Sequence, residues 1–484
     1  MARLPVAGEK NWDKILNEYL SVAHKPDGTP IQDSSFGPND GYINVKDYGA
    51  LGNNATNDTT AINNALAAAA NLVTTTGRGA VVFFPAGEYM TSGGHTLPAF
   101  CHILGSEPAG RYWGYNATNM PRATCALKLI AGSAPTAMFV APANFEAGSV
   151  RDISLLGNNS GTNTAGLDFS SCTLEENLIV ENVAIIGFSG NGVQGHLLAT
   201  RWSNLFVGGN KKYGMSSTGT LQWTDSWFSN CIFNGNVKGG VNFDATVTCG
   251  EIMFLQCRFE RSGWNPATPG SAGVPPTPAP GGVGAPGIRI QGNLAIASFV
   301  SCSTDANSGN GLEIIRPSTA VNAHHINFTG CRFNRDGWGT GVAPIQSYAG
   351  VKISGASPSS SVDYISFTNC LITEGRANDV VTQPTYTHPK YGVWCENANY
   401  WTWHGGGISE GITGGQFYGG TAGWAASNWR PSIIMPGAMG QMVMPVWTTG
   451  TQPTAALKGS IGFNESLNRI EVFNGTAWKS LTPV

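Results

Sequence analysis

The sequence predicts a mainly β chain that coils as a single-stranded solenoid, and three observations lead to that prediction. Gly provides 64 of the 484 residues, while charged residues make up only 12%, about half of the usual ~25%. Hydrophobic residues make up 41%, which excludes an intrinsically disordered chain. Short motifs recur every 22–26 residues, the length that one coil of three short strands and their turns requires.

A glycine followed by an aliphatic residue or Met marks the first of these motifs. Successive copies lie 26, 22, 26, 47, 24, 39 and 42 residues apart, so three of the units carry insertions. This spacing predicts about ten coils between residues 150 and 410. The copies begin at Gly166, Gly192, Gly214, Gly240, Gly287, Gly311, Gly350 and Gly392.

A second column of residues follows the glycines and sets the register of the coils. Its members are Asp152, Asn182, Asn204, Cys231, Cys257, Cys302, Cys331 and Cys370. Two positions later come Phe206, Phe233, Phe259, Thr304, Phe333 and Ile372. Because side chains alternate faces along a strand, both sets should point the same way, which we interpret as inward. The sequence therefore predicts interior stacks of Cys and Phe, with free thiols rather than disulfides.

The block at residues 43–90 reads as strand, turn, helix, turn and strand. Asn57 or Asp58 can cap an Ala-rich helix that runs to about Leu72, and residues 80–84 form a buried strand. The block contains the motifs VKDYGA, NDTTAINNAL and VVFFPAGEY. They resemble the opening of the pectate-lyase-like superfamily of phage tailspikes and secreted polysaccharide enzymes. The resemblance implies a right-handed parallel β-helix, which we place at residues 41–435, with the helix at 57–72 capping its first coil.

The two ends of the chain resemble parts of phage tail proteins. Residues 1–40 hold a short amphipathic helix at 9–24 and a linker, and this opening resembles minor tail proteins from phages of actinobacteria. The pattern of residues 436–484 predicts a small β module with turns at FNES and FNGT. This module is similar to the C-terminal modules of phage tail fibres. These resemblances imply a virion tail protein that attaches to other tail proteins through its N-terminal helix. The alternative for that helix is that it packs on its own domain.

Assembly and location follow from the same features. The low charge, the tailspike resemblance and a Trp-rich stretch at 394–429 favour a homotrimer, and the indoles of Trp394, Trp401 and Trp403 are expected to be exposed. Met1 to Glu18 lack the apolar core of a secretory signal. We therefore expect synthesis in a host cytoplasm and a final place in the extracellular virion tail.

Charge and motif content exclude several classes of partner. The net charge of −3 provides no basic field for nucleic acid. No run of 18 apolar residues occurs, so no membrane insertion is expected. The ten Cys match no zinc spacing, and we expect neither a metal nor another cofactor.

The three insertions share one turn of the coil. The distance from the second column to the next repeat glycine is 9 residues in two ordinary coils but 30, 19 and 22 residues in the coils with insertions. All three insertions should therefore stack along one edge of the solenoid and wall a groove. Long loops on a rigid scaffold are usually functional.

Candidate site residues lie beside that edge, where outward positions turn polar. Glu260 and Asp305 fall on consecutive coils, about 4.8 Å apart by strand spacing, near the ~5–5.5 Å between the carboxylates of retaining glycosidases. We predict Glu260, Asp305 and Glu374 as catalytic residues. Exposed indoles and guanidinium groups suit sugar polymers, and the predicted glycan-binding residues are Arg258, Trp264, Arg332, Asn334 and Trp338.

Four interpretations of these residues stay open. The first is a phage tail spike that binds host cell-surface polysaccharide, and the second is a glycoside hydrolase that cleaves the polymer in the same groove. The third is a secreted bacterial polysaccharidase, which the lack of a signal peptide disfavours. In the fourth, the acids Glu260, Asp305 and Glu374 merely pair with Arg258 and Arg332 on a solvated or subunit-facing surface. No match to the catalytic motifs of pectate lyases or polygalacturonases is found.

Overall fold

Most of the described chain forms three parallel sheets, which are built from the strands of successive stacked coils. The computed structural model describes residues 41–107, 125–173, 177–218, 222–264, 284–316, 323–337, 348–355, 362–373, 389, 391–396, 401–408, 417–418, 432–434, 446–447, 449 and 461–481. Each coil contributes one strand to sheet A, then one to sheet B and one to sheet C, and every strand pairs in parallel with its counterpart on the next coil. The predicted parallel β-helix is therefore confirmed.

The strands of the three sheets have these bounds. Sheet A contains Tyr42–Asn44, Ala80–Phe84, Cys101–Gly105, Gly148–Arg151, Leu178–Glu181, Arg201–Ser203, Trp223–Thr224, Trp227–Ser229, Thr248–Leu255, Asn293–Val300, Ala323–Thr329, Asp363–Thr368, Trp401–His404 and Ser432–Ile434. Sheet B contains Asn53–Asn57, Gly87–Thr91, Cys125–Leu129, Ser154–Leu156, Ala184–Ile186, Phe206–Gly208, Ile232–Asn234, Arg258–Glu260, Ser303–Asp305, Arg332–Asn334, Leu371–Thr373 and Gly407–Ile408. Sheet C contains His95–Thr96, Ala137–Val140, Ala165–Phe169, Val193–Gly195, Tyr213–Ser217, Gly239–Phe243, Ile288–Ile290, Leu312–Arg316, Ala349–Gly355, Tyr391–Glu396 and Phe417–Tyr418.

Helix α1 spans Thr59–Thr76 and follows a 3₁₀ helix at Val45–Tyr48. It begins after Asp58, one of the two predicted caps, and its last residue is Thr76, four residues beyond the expected end at Leu72. The hydroxyls of residues 74–76 each bond the carbonyl four residues back, so this run of threonines continues the helix. Gly77 then ends it with a φ of 64°.

One face of α1 packs against the first coils. Ile62, Ala65, Leu66 and Ala69 are buried in the main hydrophobic core. The carboxylate of Asp58 accepts the backbone N–H groups of residues 51 and 52 at 2.8 and 3.1 Å, and it makes no cap bond to the helix. Asp58 therefore fixes the preceding loop over the start of the helix.

The predicted interior cysteine stack is confirmed. Cys231, Cys257, Cys302, Cys331 and Cys370 are all buried free thiols. Each thiol donates to a main-chain carbonyl on the preceding coil, at Sγ–O distances of 3.2–3.7 Å. The carbonyls belong to Trp202, Phe228, Phe254, Phe299 and Phe328.

In the early coils, the predicted second column is displaced by one residue from the register that the structure shows. Val207, not Phe206, pairs with Phe233 in sheet B, so Phe206 points outward and packs with Ala184 and Ile186. Asn204 therefore aligns with Asn230 rather than with Cys231. These corner positions adopt a positive φ near 55°, a conformation in which Asn and Asp are favoured among non-glycine residues.

The repeat glycines lie in register at the start of the sheet C strands. A Cβ atom at any of the six from Gly166 to Gly311 would lie 2.5–2.8 Å from the carbonyl oxygen of the glycine on the next coil. No side chain fits within that distance. Close contact between consecutive coils therefore explains why the repeat requires glycine.

The Trp-rich stretch is partly interior, against expectation. Trp401 and Trp403 are fully buried, because alternation along Trp401–His404 directs both indoles into the core. The ring of Trp403 stacks on Phe367 with centroids 5.0 Å apart. Trp394 is half-buried on sheet C.

A separate four-stranded sheet lies near the C-terminus. Its strands are Val446–Trp447, Ile461–Asn464, Arg469–Phe473 and Trp478–Ser480, and the last three are antiparallel. The predicted turns are confirmed, since Asn464 accepts the N–H of Leu467 and Asn474 accepts those of residues 476 and 477. Within the described residues, no helix is long and apolar enough to cross a membrane.

The substitution Gly240→Ala tests the close contact between coils. Its Cβ would lie 2.5 Å from the carbonyl of Gly287, so we expect a loss of about 1–3 kcal/mol in unfolding free energy. The control is Gly407→Ala, where the nearest atom is a flexible leucine methyl at 3.7 Å. Chemical denaturation measures both variants, and equal losses would contradict the explanation.

Candidate functional site

The three insertions leave the β-helix at one corner, as predicted. They follow the sheet B strands Arg258–Glu260, Arg332–Asn334 and Leu371–Thr373, and each ends before a sheet C strand. Each insertion therefore connects a sheet B strand to a sheet C strand at the same corner. Most of their residues lie outside the described part of the chain, including the predicted site residues Trp338 and Glu374.

The predicted acids Glu260 and Asp305 are direct register partners on adjacent coils of sheet B. Glu260 is buried, forms an ion pair with Arg258 and accepts the Asn234 amide at 3.1 Å. Asp305 accepts two bonds from the guanidinium of Arg335, at 2.9 and 2.7 Å. Both acids thus pair with an arginine, as in the fourth interpretation, but Asp305 pairs with Arg335 rather than with Arg332.

The environment of Glu260 favours its protonated form. Burial raises the pKa of the Glu260 carboxyl, the Arg258 guanidinium opposes that rise, and the Asp305 carboxylate adds to it. The net direction is upward, as a general acid requires. A catalytic role for this pair remains a prediction.

The predicted glycan-binding residues of sheet B differ in accessibility. Arg332 is exposed, while the amide of Asn334 bridges Asp305 and Thr373 at 2.7 and 2.6 Å. Trp264 is only 3% exposed, and its indole N–H donates to the Ala306 carbonyl at 2.7 Å. Trp264 therefore anchors the base of the first insertion and offers little ring surface to a sugar.

Sheet C carries a second polar column that the sequence analysis missed. Its residues are in register along the outer face and lie two positions after the repeat glycines. Counting two residues on from each glycine would have found them. They are Asp168, Gln194, Ser216, Asn242, Arg289, Glu313, Lys352 and Trp394.

A hydrogen-bonded cluster holds the centre of this column. The Nε of Arg289 donates to Glu313 at 2.7 Å, and its Nη1 donates to the Tyr213 hydroxyl at 3.0 Å. Asn310 donates to the other Glu313 oxygen at 3.1 Å. Burial opposes the charge on Arg289, but the Glu313 carboxylate and the Tyr213 hydroxyl outweigh it and raise the pKa of Arg289.

Aromatic rings extend the cluster towards the C-terminal coils. The Lys352 ammonium lies 5.0 Å from the centre of the Trp394 ring, and Tyr391 meets that ring edge-on at 5.2 Å. Burial and the charge of the Glu313 carboxylate both raise the pKa of Tyr348. Rings beside fixed charged groups can stack on sugar faces and bond their hydroxyls. We call Tyr213, Arg289, Glu313, Tyr348, Lys352 and Trp394 the sheet C cluster.

A ladder of buried amide side chains supports the corner under the insertions. Asn236 accepts from the backbone and side chain of Asn210, and Asn307 caps the N–H of Ser262 at 2.8 Å. The next rung is Asp336, which accepts from the Asn307 side chain at 2.8 Å and contacts the Thr304 hydroxyl at 2.5 Å. A carboxyl group thus occupies a position that suits an amide.

Comparisons with known proteins were made on sequence and on fold. Residues 42–259 match the family model "Rhamnogalacturonase A/epimerase, pectate lyase-like". The resemblance to the pectate-lyase-like superfamily is confirmed. No curated protein matches the chain in sequence.

Solved structures share the parallel β-helix fold at low identity. The A-module of mannuronan C-5 epimerase AlgE6 from Azotobacter vinelandii is 15% identical, with a TM-score of 0.55 over 82% of this chain and 99% of that one. The corresponding AlgE4 module is 16% identical, with a TM-score of 0.53 over 80% and 100%. PfbA, a surface adhesin of Streptococcus pneumoniae, is 14% identical, with a TM-score of 0.51 over 91% and 98%. These likenesses establish the fold.

The described residues hold no group of three or more His, Cys, Asp or Glu that could bind a metal ion.

Asp336→Asn should remove a pH-dependent loss of stability. Burial raises the pKa of Asp336 from 3.8 to about 8. Between these values the folded state keeps a proton that the unfolded state has lost, so wild-type stability falls as pH rises from about 4 to about 8. The slope should reach at most about 1.4 kcal/mol per pH unit, and the variant should lack it.

Denaturation at a series of pH values measures this slope. The control is Asp47→Asn, which removes a carboxyl group from an exposed turn and should keep the wild-type slope. If Asp336→Asn follows the wild type at every pH, the buried acid does not titrate as described.

Proposed function

We propose that this chain is a bacteriophage tail protein whose β-helix binds a host cell-surface polysaccharide. The observation that carries the proposal is the sheet C cluster beside the corner of the insertions. The cluster combines a stacking surface, the ring of Trp394, with charged groups that can form directional hydrogen bonds. These groups belong to Arg289, Glu313 and Lys352. A sugar polymer needs both.

The position of the cluster supports a polymeric ligand. The polar column continues along sheet C from Asp168 to Trp394, over eight consecutive strands. At about 4.8 Å per strand, it spans about 34 Å, which exceeds a single sugar ring several times. The epimerase modules that share the fold are named for their action on mannuronan, itself a polysaccharide.

The phage assignment rests on the two ends of the chain. Residues 1–40 and 436–484 resemble phage tail proteins, and the second segment contains the confirmed FNES and FNGT turns. In this proposal the segment at 9–24 attaches the protein to other tail proteins. The protein acts as a homotrimer in the extracellular virion tail.

Trp394→Ala tests the glycan site. Loss of the stacking ring should weaken binding at least ~10-fold, as measured on a printed array of bacterial capsular, lipopolysaccharide and cell-wall polysaccharides. The control is Tyr48→Ala, which removes an exposed aromatic ring far from sheet C in the chain. Binding that is absent in the wild type, or equal in wild type and Trp394→Ala, would reject this site.

A second candidate function is hydrolysis of the same polymer. It is favoured by the register pairing of Glu260 with Asp305 and by the raised pKa of Glu260. In that reaction protonated Glu260 would donate to the leaving oxygen. Asp305 would act as the nucleophile or the base.

Reducing-sugar release from the bound polysaccharide tests this candidate. Glu260→Gln and Asp305→Asn should each lower release at least ~10²-fold, a typical contribution of an acid or base group. Glu181→Gln serves as the control, since its carboxylate pairs with Arg151 on sheet A. If the wild type binds without releasing sugar, the protein is a binder alone.

A further inference from the structure

The outer face of sheet A differs in composition from the other two faces. Six consecutive strands, from Trp227–Ser229 to Trp401–His404, present two outward positions each in two registered columns. Within these described strands, the two columns contain no Asp, Glu, Lys or Arg. The positions are Trp227, Ser229, Met253, Leu255, Ser298, Val300, Asn327, Thr329, Ser366, Thr368, Thr402 and His404. We call them the neutral face.

Large apolar side chains are exposed on this face. Trp227 is 53% exposed, and its neighbours Met253 and Leu255 are 38% and 39% exposed. Ile296 and Tyr364 stand at the edge of the face, also more than half exposed. A single surface leucine is ordinary, but five large apolar groups exposed on or beside one sheet face indicate an interaction surface.

Charged groups border the N-terminal end of the neutral face rather than lying within it. The Arg201 guanidinium lies 4.4 Å above the Trp227 ring on the N-terminal side. Asp225 and Glu251 stand at the corner before the two columns, where the Asp225 carboxyl raises the pKa of Glu251. A neutral centre with a charged rim is the composition of protein–protein interfaces.

The size of the face suits association of like chains. Six strands at about 4.8 Å span about 24 Å, and the four central strands, of six to eight residues, are about 20–26 Å long. The projected area is about 500–600 Å² per copy, or about 1,000–1,200 Å² for two, at the lower end of the size of specific interfaces. Stable specific interfaces bury about 1,200–2,000 Å².

We infer that the neutral face is the surface through which a second copy of this chain binds. An uncharged face meets its own copy without like-charge repulsion, whereas the faces of sheets B and C carry fixed charges. The association also leaves the sheet C cluster uncovered, because sheets A and C are separate faces of each coil. The inference rests on the self-association that the proposed function includes and assigns a surface to it. It does not depend on glycan binding.

Met253→Arg and Leu255→Arg test the face. Each places an unpaired charge within the contact, so the dissociation constant of the oligomer should rise at least ~10²-fold. Leu51→Arg is the matched control, since Leu51 is 54% exposed outside the neutral face and its variant should assemble as the wild type does. Sedimentation velocity over a micromolar concentration series measures all four proteins.

Three outcomes would overturn the inference: a monomeric wild type, assembly unchanged in both face variants, or dissociation of the Leu51→Arg control as well. Hydroxyl-radical footprinting of the wild type gives a test that needs no variant. Oxidation of Met253 and Trp227 should slow on assembly, and equal oxidation in monomer and oligomer would reject the face. Since no glycan enters these experiments, their failure leaves the polysaccharide proposal standing.

Discussion

The architecture depends on how closely consecutive coils approach at the corner between sheets B and C. The repeat glycines admit a carbonyl oxygen where no Cβ fits, so the strands of sheet C can begin in register on every coil. Beside them, the amide side chains of Asn210, Asn236 and Asn307 each accept a backbone N–H of the neighbouring coil. A corner secured from both sides tolerates long insertions, because the chain returns to the same fixed position whatever the loop contains.

That corner also determines where chemistry can be placed. Sheet B ends at it with the Glu260–Asp305 pair, and sheet C begins after it with Arg289, Glu313 and Lys352. The two sets differ in kind. On both sheets the acids pair with arginines, but on sheet C the charged groups are also accompanied by the rings of Trp394 and Tyr391. Recognition of a polymer thus has the stronger physical basis on sheet C.

Periodicity made much of this fold accessible from sequence. Glycines and cysteines repeat because they occupy closely packed positions that few other residue types fit. Their spacing therefore predicts the coil length and the corner that the three insertions share. The early coils were misaligned because Asn204 and Cys231 look equivalent by spacing, yet Asn204 fills the left-handed corner and Cys231 the interior beyond it. Outward residues tolerate many types, so the column from Asp168 to Trp394 carried no repeating letter. Burial of Trp264 and the choice of Arg335 as partner depend on three-dimensional contacts that no periodicity encodes.

The left-handed corner residues carry a consequence for how the chain acquires its structure. A non-glycine residue in this conformation costs about 1–2 kcal/mol, and the N–H groups of Asn204, Asn230 and Gln256 each bond a carbonyl of the following coil. A coil formed alone would bear that cost without the compensating bond. Each coil therefore needs its neighbour as a template, and folding should advance along the axis by adding coils to an existing stack, as in other quasi-one-dimensional proteins. Newly added coils at the growing end would be the least stable part of the molecule until the next coil closes over them.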